Sequence, residues 1–282
     1  MRRQIGVLGV SRRAGRTLMV PAPAAQGRWR LPGGLVDHGE HPEHALRRYA
    51  LAQAGVRIDV GPVHSVVTAI DEAGHTDWIV LEASTPDEAI RDASWVADAA
   101  LTPGAVSPLA ARALGLGPDA PAPVAAPESV PVEPGVVRRR QRFAAYALVT
   151  DPGGRVLLTR IREGYPGAGS WHLPGGGTDP GEAAPAGVLR ELIEETDQRG
   201  RIVGPLFVSH RYQRDALGPE GVPIDWHGVR VVYRAIVDQP TPARVTEAGG
   251  STSEAAWMEV DDALGRSLTE VARDSITRYL KV

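Results

Sequence analysis

The sequence predicts an α/β chain made of two tandem copies of one fold, and three observations carry that reading. First, the chain has 282 residues, while single cores stop growing near ~250–300 residues and domains cluster at ~100–150. Two domains of similar size follow. Second, Pro118, Pro121, Pro123, Pro127, Pro131 and Pro134 fall within residues 115–135. A stretch so punctuated cannot be a central strand or a helix interior, and it reads as an extended linker at ~3.1 Å per residue. The domains are therefore expected at 1–114 and 136–282, with the Pro/Ala-rich linker at 115–135. Third, the halves repeat each other. Trp29-Arg30-Leu31-Pro32-Gly33-Gly34 matches Trp171-His172-Leu173-Pro174-Gly175-Gly176, with Glu40 and Glu182 six residues on and Arg48 and Arg190 eight further.

Each element of the second half has a local reason. β-branched and apolar runs at 143–149 and 156–161 flank Asp151-Pro152-Gly153-Gly154, which reads as two strands around a turn. Residues 182–196 read as a helix, with Pro185 tolerable because it sits in the first turn. Residues 202–212 and 229–237 are β-branched and read as strands. At 268–280, Val271, Ile276 and Leu280 suit one face of a closing helix.

Composition excludes several classes of function. Hydrophobic residues are 43% and charged residues 23%, ordinary for a globular protein. There is no cysteine, so disulfides and thiolate metal sites are out. No apolar run approaches the ~18 residues of a membrane span, and the basic start, Met1-Arg2-Arg3, lacks the apolar stretch of a signal peptide. No membrane partner and a cytoplasmic location are the expectations. The formal charge of −3 offers no field for nucleic acid. The run Arg138-Arg139-Arg140-Gln141-Arg142 reads as a solvated strand entrance rather than a nucleic-acid patch.

The chemistry concentrates on the helix at 182–196. Glu191, Glu194 and Glu195 are spaced i, i+3, i+4 and share one face. At ~5 Å and an effective dielectric near 20, each pair of charges costs about 3 kcal/mol. A bound divalent cation turns that repulsion into ligation, and an all-oxygen donor set suits Mg²⁺ or Mn²⁺. The glycines of Leu173-Pro174-Gly175-Gly176-Gly177 let backbone approach an ion or a phosphate.

These residues resemble a known family. Gly176, five residues, Glu182, seven residues, then Arg190-Glu191-Leu192-Ile193-Glu194-Glu195 is similar to the Nudix box, G-x5-E-x7-R-E-U-x-E-E-x-G-U. Chance agreement at its six fixed positions is on the order of 10⁻⁵. Asp197 stands where the family has Gly, and Gln198 where it has an aliphatic residue. The resemblance implies α/β/α sandwich domains with mixed sheets. It implies Mg²⁺-dependent hydrolysis, with Mn²⁺ as the alternative ion, of a phosphoanhydride in a nucleoside diphosphate derivative or nucleoside triphosphate. On that pattern Glu194 and Glu195 ligate the ion together with the Gly175 carbonyl. Glu191 is a further ligand or the base, and Arg190 pairs with Glu182 and orients the carboxylates. Glu254, just before Trp257, is a candidate late contact to metal or substrate, with a surface acid as the plain reading.

The first half is a broken copy. Tyr49, Ala52 and Gln53 stand where Glu191, Glu194 and Glu195 stand in the second, while Glu40, Arg48 and Gly55-Val56 survive. It is expected to be inactive and either structural or ligand-binding. The two halves are expected to pack as an internal pseudo-dimer. His38, His41 and His44 are candidates for Zn²⁺ or phosphate, with exposed histidines as the ordinary reading. Trp171, Tyr165, Tyr212 and Trp226 are the aromatic candidates for a nucleotide-type small-molecule substrate. His172, His210 and His227 are candidates for phosphate contact or acid, with structural histidines as the plain alternative. A non-catalytic nucleotide-binding or regulatory module is the competing function. An isomerase of the cysteine-using kind is disfavoured by the absence of Cys.

Overall fold

The computed structural model describes residues 3–22, 29–71, 74–87, 93–117, 138–217 and 222–281. Most of the expected linker lies outside the described residues. The first repeat runs β1 (Arg3–Arg13), β2 (Arg16–Pro21), β3 (Trp29–Arg30), β4 (Gly33–Leu35), α1 (Pro42–Ala54), β5 (Asp59–Asp71), β6 (Gly74–Ser84), β7 (Ser94–Ala97) and α2 (Pro108–Ala113). The second runs β8 (Arg138–Thr150), β9 (Val156–Ile161), β10 (Trp171–His172), β11 (Gly175–Gly177), α3 (Ala184–Thr196), β12 (Arg201–Leu217), β13 (Pro223–Ile236), β14 (Thr252–Met258), α4 (Val260–Leu264) and α5 (Glu270–Tyr279).

The two sheets share one plan. The first is ordered β3-β2-β1-β6-β5, with β4 on β1 and β7 on β2; the second is ordered β10-β9-β8-β13-β12, with β11 on β8 and β14 on β9. β1 runs parallel to β6 and antiparallel to β4, so the first sheet is mixed. Both repeats thus fold as sheet-dominated α/β units with the same strand order, as the sequence repeat requires.

The chain forms two compact units. One holds residues 1–143 with 180–182 and 210–229, and the other holds 144–179, 183–209 and 230–282. Unit 1 packs Leu8, Val10, Met19, Leu31, Val80 and Val106 against α2. Unit 2 packs Leu148, Leu158, Leu173, Val232 and Ile276 into its own core.

α3 is the element that positions the site. It begins at Ala184, two residues later than expected, and has proline in its first turn. Ala184, Val188, Leu192 and Thr196 are buried at i+4 spacing, which makes one apolar stripe. Glu195 lies three residues past Leu192 and is carried inward with that stripe, to 4% exposure. The helix ends on Asp197, whose φ of 55° is left-handed. A non-glycine residue there costs roughly 1–2 kcal/mol. Arg244 donates from Nε to Asp197 Oδ2 at 2.7 Å and so holds the turn. Gln198 is buried where the family pattern has an aliphatic residue. Its amide donates to Thr241 Oγ1 at 2.8 Å and accepts the Thr241 N–H at 3.0 Å, so it is satisfied rather than stranded.

Candidate metal and phosphoanhydride site

The glycine loop and α3 meet in unit 2. Gly175 has φ 133°, a backbone conformation that side chains rarely allow. Its N–H donates to Glu195 Oε2 at 2.9 Å. Gly176 lies close under a carboxylate: a Cβ there would sit 2.7 Å from Glu191 Oε1 and would require that side chain to move. β11 registers Gly175 opposite Tyr146 and Gly176 opposite Ala145 on β8. The loop is thereby fixed to a rigid strand, facing the carboxylates.

The three helix carboxylates form a gradient of burial. Glu195 is buried, Glu191 is mostly buried with 16% of its side chain exposed, and Glu194 is 37% exposed. Burial pushes the Glu195 carboxyl up to about 7, against the hydrogen bonds from Thr252 and Gly175, and the charges of Glu191 and Glu247 add to the rise. Burial likewise raises Glu191, outweighing the Arg190 charge beside it. Arg190 donates from Nη1 to Glu194 Oε2 at 2.7 Å, lies 3.2 Å from Glu191 Oε1, and donates from Nη2 to the Gly177 carbonyl at 3.3 Å. One guanidinium therefore ties helix carboxylates to loop backbone. Glu182 lies in the segment 180–182 of unit 1. In the first repeat the residues at the corresponding positions, Arg48 and Glu40, form a bidentate pair with bonds of 2.9 and 2.6 Å.

Glu247 was not singled out in the sequence. It sits in the loop before β14, its N–H and that of Thr246 both donate to the Glu194 carbonyl (3.0 and 2.9 Å), and its charge acts on Glu191 and Glu195. It is a fourth carboxylate at the site, more than fifty residues along the chain from α3's others. No spacing rule reaches that far; its one local signal is an acid placed just before the glycine pair Gly249-Gly250.

The substrate candidates scatter. Glu254 is half exposed and pairs with Arg160 at 3.4 Å. With Trp171, Arg155, Trp257 and Arg266 it lines a cavity of about 470 Å³. Trp171 itself is 7% exposed and belongs to the unit 2 core. His172 shares its Nδ1 with Thr269 Oγ1 at 2.6 Å and meets the Tyr146 ring at 4.6 Å. Burial, and then the charge of Arg230, push His172 down to about 3, which keeps it neutral near pH 7. Tyr212 belongs to unit 1, where its ring meets those of His38 and His227. Tyr165 is 43% exposed.

In the first repeat the same positions are closed. Gln53 Oε1 accepts the Gly33 N–H at 3.0 Å, and its Nε2 donates to the Gly33 carbonyl at 3.0 Å. The Tyr49 hydroxyl donates to the Leu35 carbonyl at 3.0 Å. Neutral side chains thus occupy the loop where the second repeat presents acids.

A repeated mixed-sheet fold with a glycine loop laid over a carboxylate-lined helix defines the class. The NUDIX domain model matches residues 1–107 and 140–279, and the chain belongs to that family. Over 70 residues it is 36% identical to a Bacillus subtilis (strain 168) protein named “Putative 8-oxo-dGTP diphosphatase”, covering 25% of this chain and 42% of that protein. The match therefore spans about two fifths of that relative's length. Among solved structures, the NUDIX domain of Shewanella oneidensis NrtR complexed with ADP ribose is 26% identical, at TM-score 0.41, over 49% of this chain and 86% of that one. A MutT NUDIX hydrolase from Burkholderia pseudomallei is 27% identical, at TM-score 0.38, over 50% and 98%. No helix among the described residues is long and apolar enough to cross a membrane.

Proposed function

We propose that unit 2 is a divalent-cation-dependent pyrophosphohydrolase that cleaves a phosphoanhydride in a nucleoside diphosphate derivative or nucleoside triphosphate. The first repeat contributes no chemistry on this reading. The observation that carries it is the set of Glu191, Glu194, Glu195 and Glu247 gathered beside the Gly175 loop, with two of those carboxyls raised by burial. Oxygen-only donors, partly buried and mutually repelling, fit a hard cation such as Mg²⁺, with Mn²⁺ as the alternative. Glu191, Glu194, Glu195 and the Gly175 carbonyl would hold it. When bound, such an ion neutralises diphosphate oxygens and lowers the pKa of water.

The chain's own residues have separable tasks. Arg190 fixes Glu194 and Glu191 relative to the loop, so the donors are pre-arranged. Thr252 and the Gly175 N–H fix Glu195. Glu191 and Glu247 are the two candidates to take a proton from the attacking water, because both lie at the carboxylate cluster without serving as its buried anchor. Tyr146 and neutral His172 present ring surface beside the glycine loop.

A chromatographic panel tests the reading. Nucleoside triphosphates, ADP-ribose, NADH, sugar nucleotides and dinucleoside polyphosphates are incubated with Mg²⁺, Mn²⁺ or chelator. Cleavage that needs cation and vanishes in Glu194→Gln plus Glu195→Gln is expected. Silence of a folded native sample across the panel, with nucleotide binding retained, would favour the binding-module reading instead.

A further inference from the structure

Five of the chain's eight histidines gather in unit 1, from two stretches of sequence far apart: His38, His41 and His44 in one, His210 and His227 in the other. Ring centroids lie 5.4 Å apart for His41–His44, 5.1 Å for His41–His210, 4.9 Å for His210–His227 and 5.5 Å for His38–His227. They join two pieces of chain: the turn at residues 37–41, which leads into α1, and the neighbouring stretches of β12 and β13 at residues 210–217 and 223–229.

The join is specific. The Gly39 N–H donates to Nδ1 of His227 at 3.1 Å, and Gln141 Nε2 lies 3.0 Å from the same nitrogen. Gly39 has φ 84°, strained for any residue with a side chain, and a Cβ there would lie 3.0 Å from the Tyr212 ring. His227 is completely buried. Its Nε2, and that of His210, have no hydrogen-bond partner among the described residues. An imidazole whose Nδ1 accepts an amide carries its proton on Nε2. The same holds for His41, whose Nδ1 accepts the Glu43 N–H. Those two rings are therefore unsuited to ligate a metal through Nε2.

A repeat-related contact shows what is missing. Gly181 is the counterpart of Gly39, and its N–H donates to Nδ1 of His75 at 3.0 Å. His75 Nε2, however, meets Asp77 Oδ1 at 3.0 Å. His227 has no such carboxylate. The acids around it are committed elsewhere. Asp225 lies 3.2 Å from His38 and 3.7 Å from Arg139 and bonds Tyr212; Glu40 is held by Arg48; Glu43 pairs with Arg47. The remaining titratable and charged groups nearby are Asp37, which pairs with Arg48, His44, and the guanidinium groups of Arg211 and Arg214.

We propose that His41, His210 and His227, packed together at this join, form an acid-sensitive latch: neutral, they hold the 37–41 turn on residues 210–217 and 222–229; protonated, they let go. A second proton on His227 would have to displace the Gly39 amide, and it would lie 4.9 Å from another imidazole. Burial, and then the neighbouring His210 and His38, push His227 down to about 4, with the Glu40 backbone and Asp225 opposing; burial also lowers His41 and His210. The sign follows. The released histidines bind protons near pH 6.5 and the latched ones only lower, so the latch is intact above ~6.5 and loosens as pH falls toward about 4. Each such histidine shifts the opening equilibrium by about tenfold per pH unit inside that window.

Two NMR readings on the full chain test it. In a titration of histidine Cε1–H signals from pH 8 to 4.5, His227 should stay neutral well below pH 6.5. In amide exchange corrected for intrinsic rate, Gly39 should lose protection about tenfold or more between pH 6.5 and 5.5, while Ile79 in the unit 1 core keeps its own. His227→Asn, which keeps an acceptor for the Gly39 amide, should flatten that dependence; if it does not fold, His210→Gln should reduce the slope. Titration of His41, His210 and His227 all near 6.5, loss of Ile79 protection in step with Gly39, or an unchanged slope in both variants would overturn the latch.

Discussion

Gln53 and Glu195 occupy the same position in the two repeats, and each accepts the N–H of a loop glycine, at 3.0 and 2.9 Å. They differ in what else they can do. The amide of Gln53 also donates to the Gly33 carbonyl, while a carboxylate has no proton to offer the corresponding carbonyl. Gln53 closes its loop with neutral groups, and Glu195 leaves a charge beside its own. Gln53→Ala should therefore cost about 1–3 kcal/mol in urea unfolding, because Gly33 loses a partner for both its N–H and its carbonyl. Glu195→Gln is nearly isosteric and should leave stability within about 1 kcal/mol. It should weaken Mn²⁺ binding, read by electron paramagnetic resonance, by tenfold or more. Equal cation binding by native and variant would remove Glu195 from the donor set.

At the scale of the element, α3 was legible because its buried stripe and its carboxylates both follow helical spacing. Its start was not. Glu182 reads as helix by composition, yet the helix begins at Ala184, with Ala183 supplying no side-chain cap. Its end depended on groups far along the chain. Asp197 adopts the left-handed turn with Arg244, and Gln198 is satisfied by Thr241; neither partner is visible from the motif. Gln198→Leu restores the family's aliphatic type but leaves the Thr241 N–H unpaired, so it should destabilise by about 1–3 kcal/mol in denaturant unfolding rather than stabilise. Glu247 escaped notice for a similar reason: its place at the site is set by the loop preceding β14. The strands at 156–161 fell where the pattern put them, whereas β12 and β13 extend beyond the β-branched runs that announced them. The extra length of β13 includes Asp225 and His227, and the partner of His227 lies 188 positions away.

For the whole molecule, the two repeats keep one strand order while their box residues differ. One box holds acids and the other holds neutral residues at the same positions, so exchanging those side chains has not required a change of fold. Two acid windows should separate in a pH series. The histidine contribution falls away from ~6.5 toward 4. The Glu40 carboxylate, held below its usual range by Arg48 in spite of burial, contributes above ~4.5 and is lost only below that. Glu40→Gln should thus flatten the loss of thermal stability below pH 4.5 without changing it between 5 and 6.5. Its magnitude should be small, about 0–1 kcal/mol, because Arg48 is well exposed.

The central claim is that phosphoanhydride chemistry belongs to the second repeat. Steady-state turnover with Mg²⁺, on whichever panel substrate the native chain cleaves, tests it most directly in three proteins: native, Glu194→Gln plus Glu195→Gln, and Gln53→Ala plus Tyr49→Phe. The account predicts that the second-repeat variant loses kcat/KM by about 10²–10⁴-fold, the range expected when charge stabilisation is removed, while the first-repeat variant stays within about twofold of native. Full activity in the second-repeat variant, or its loss in a folded first-repeat variant, would contradict the account.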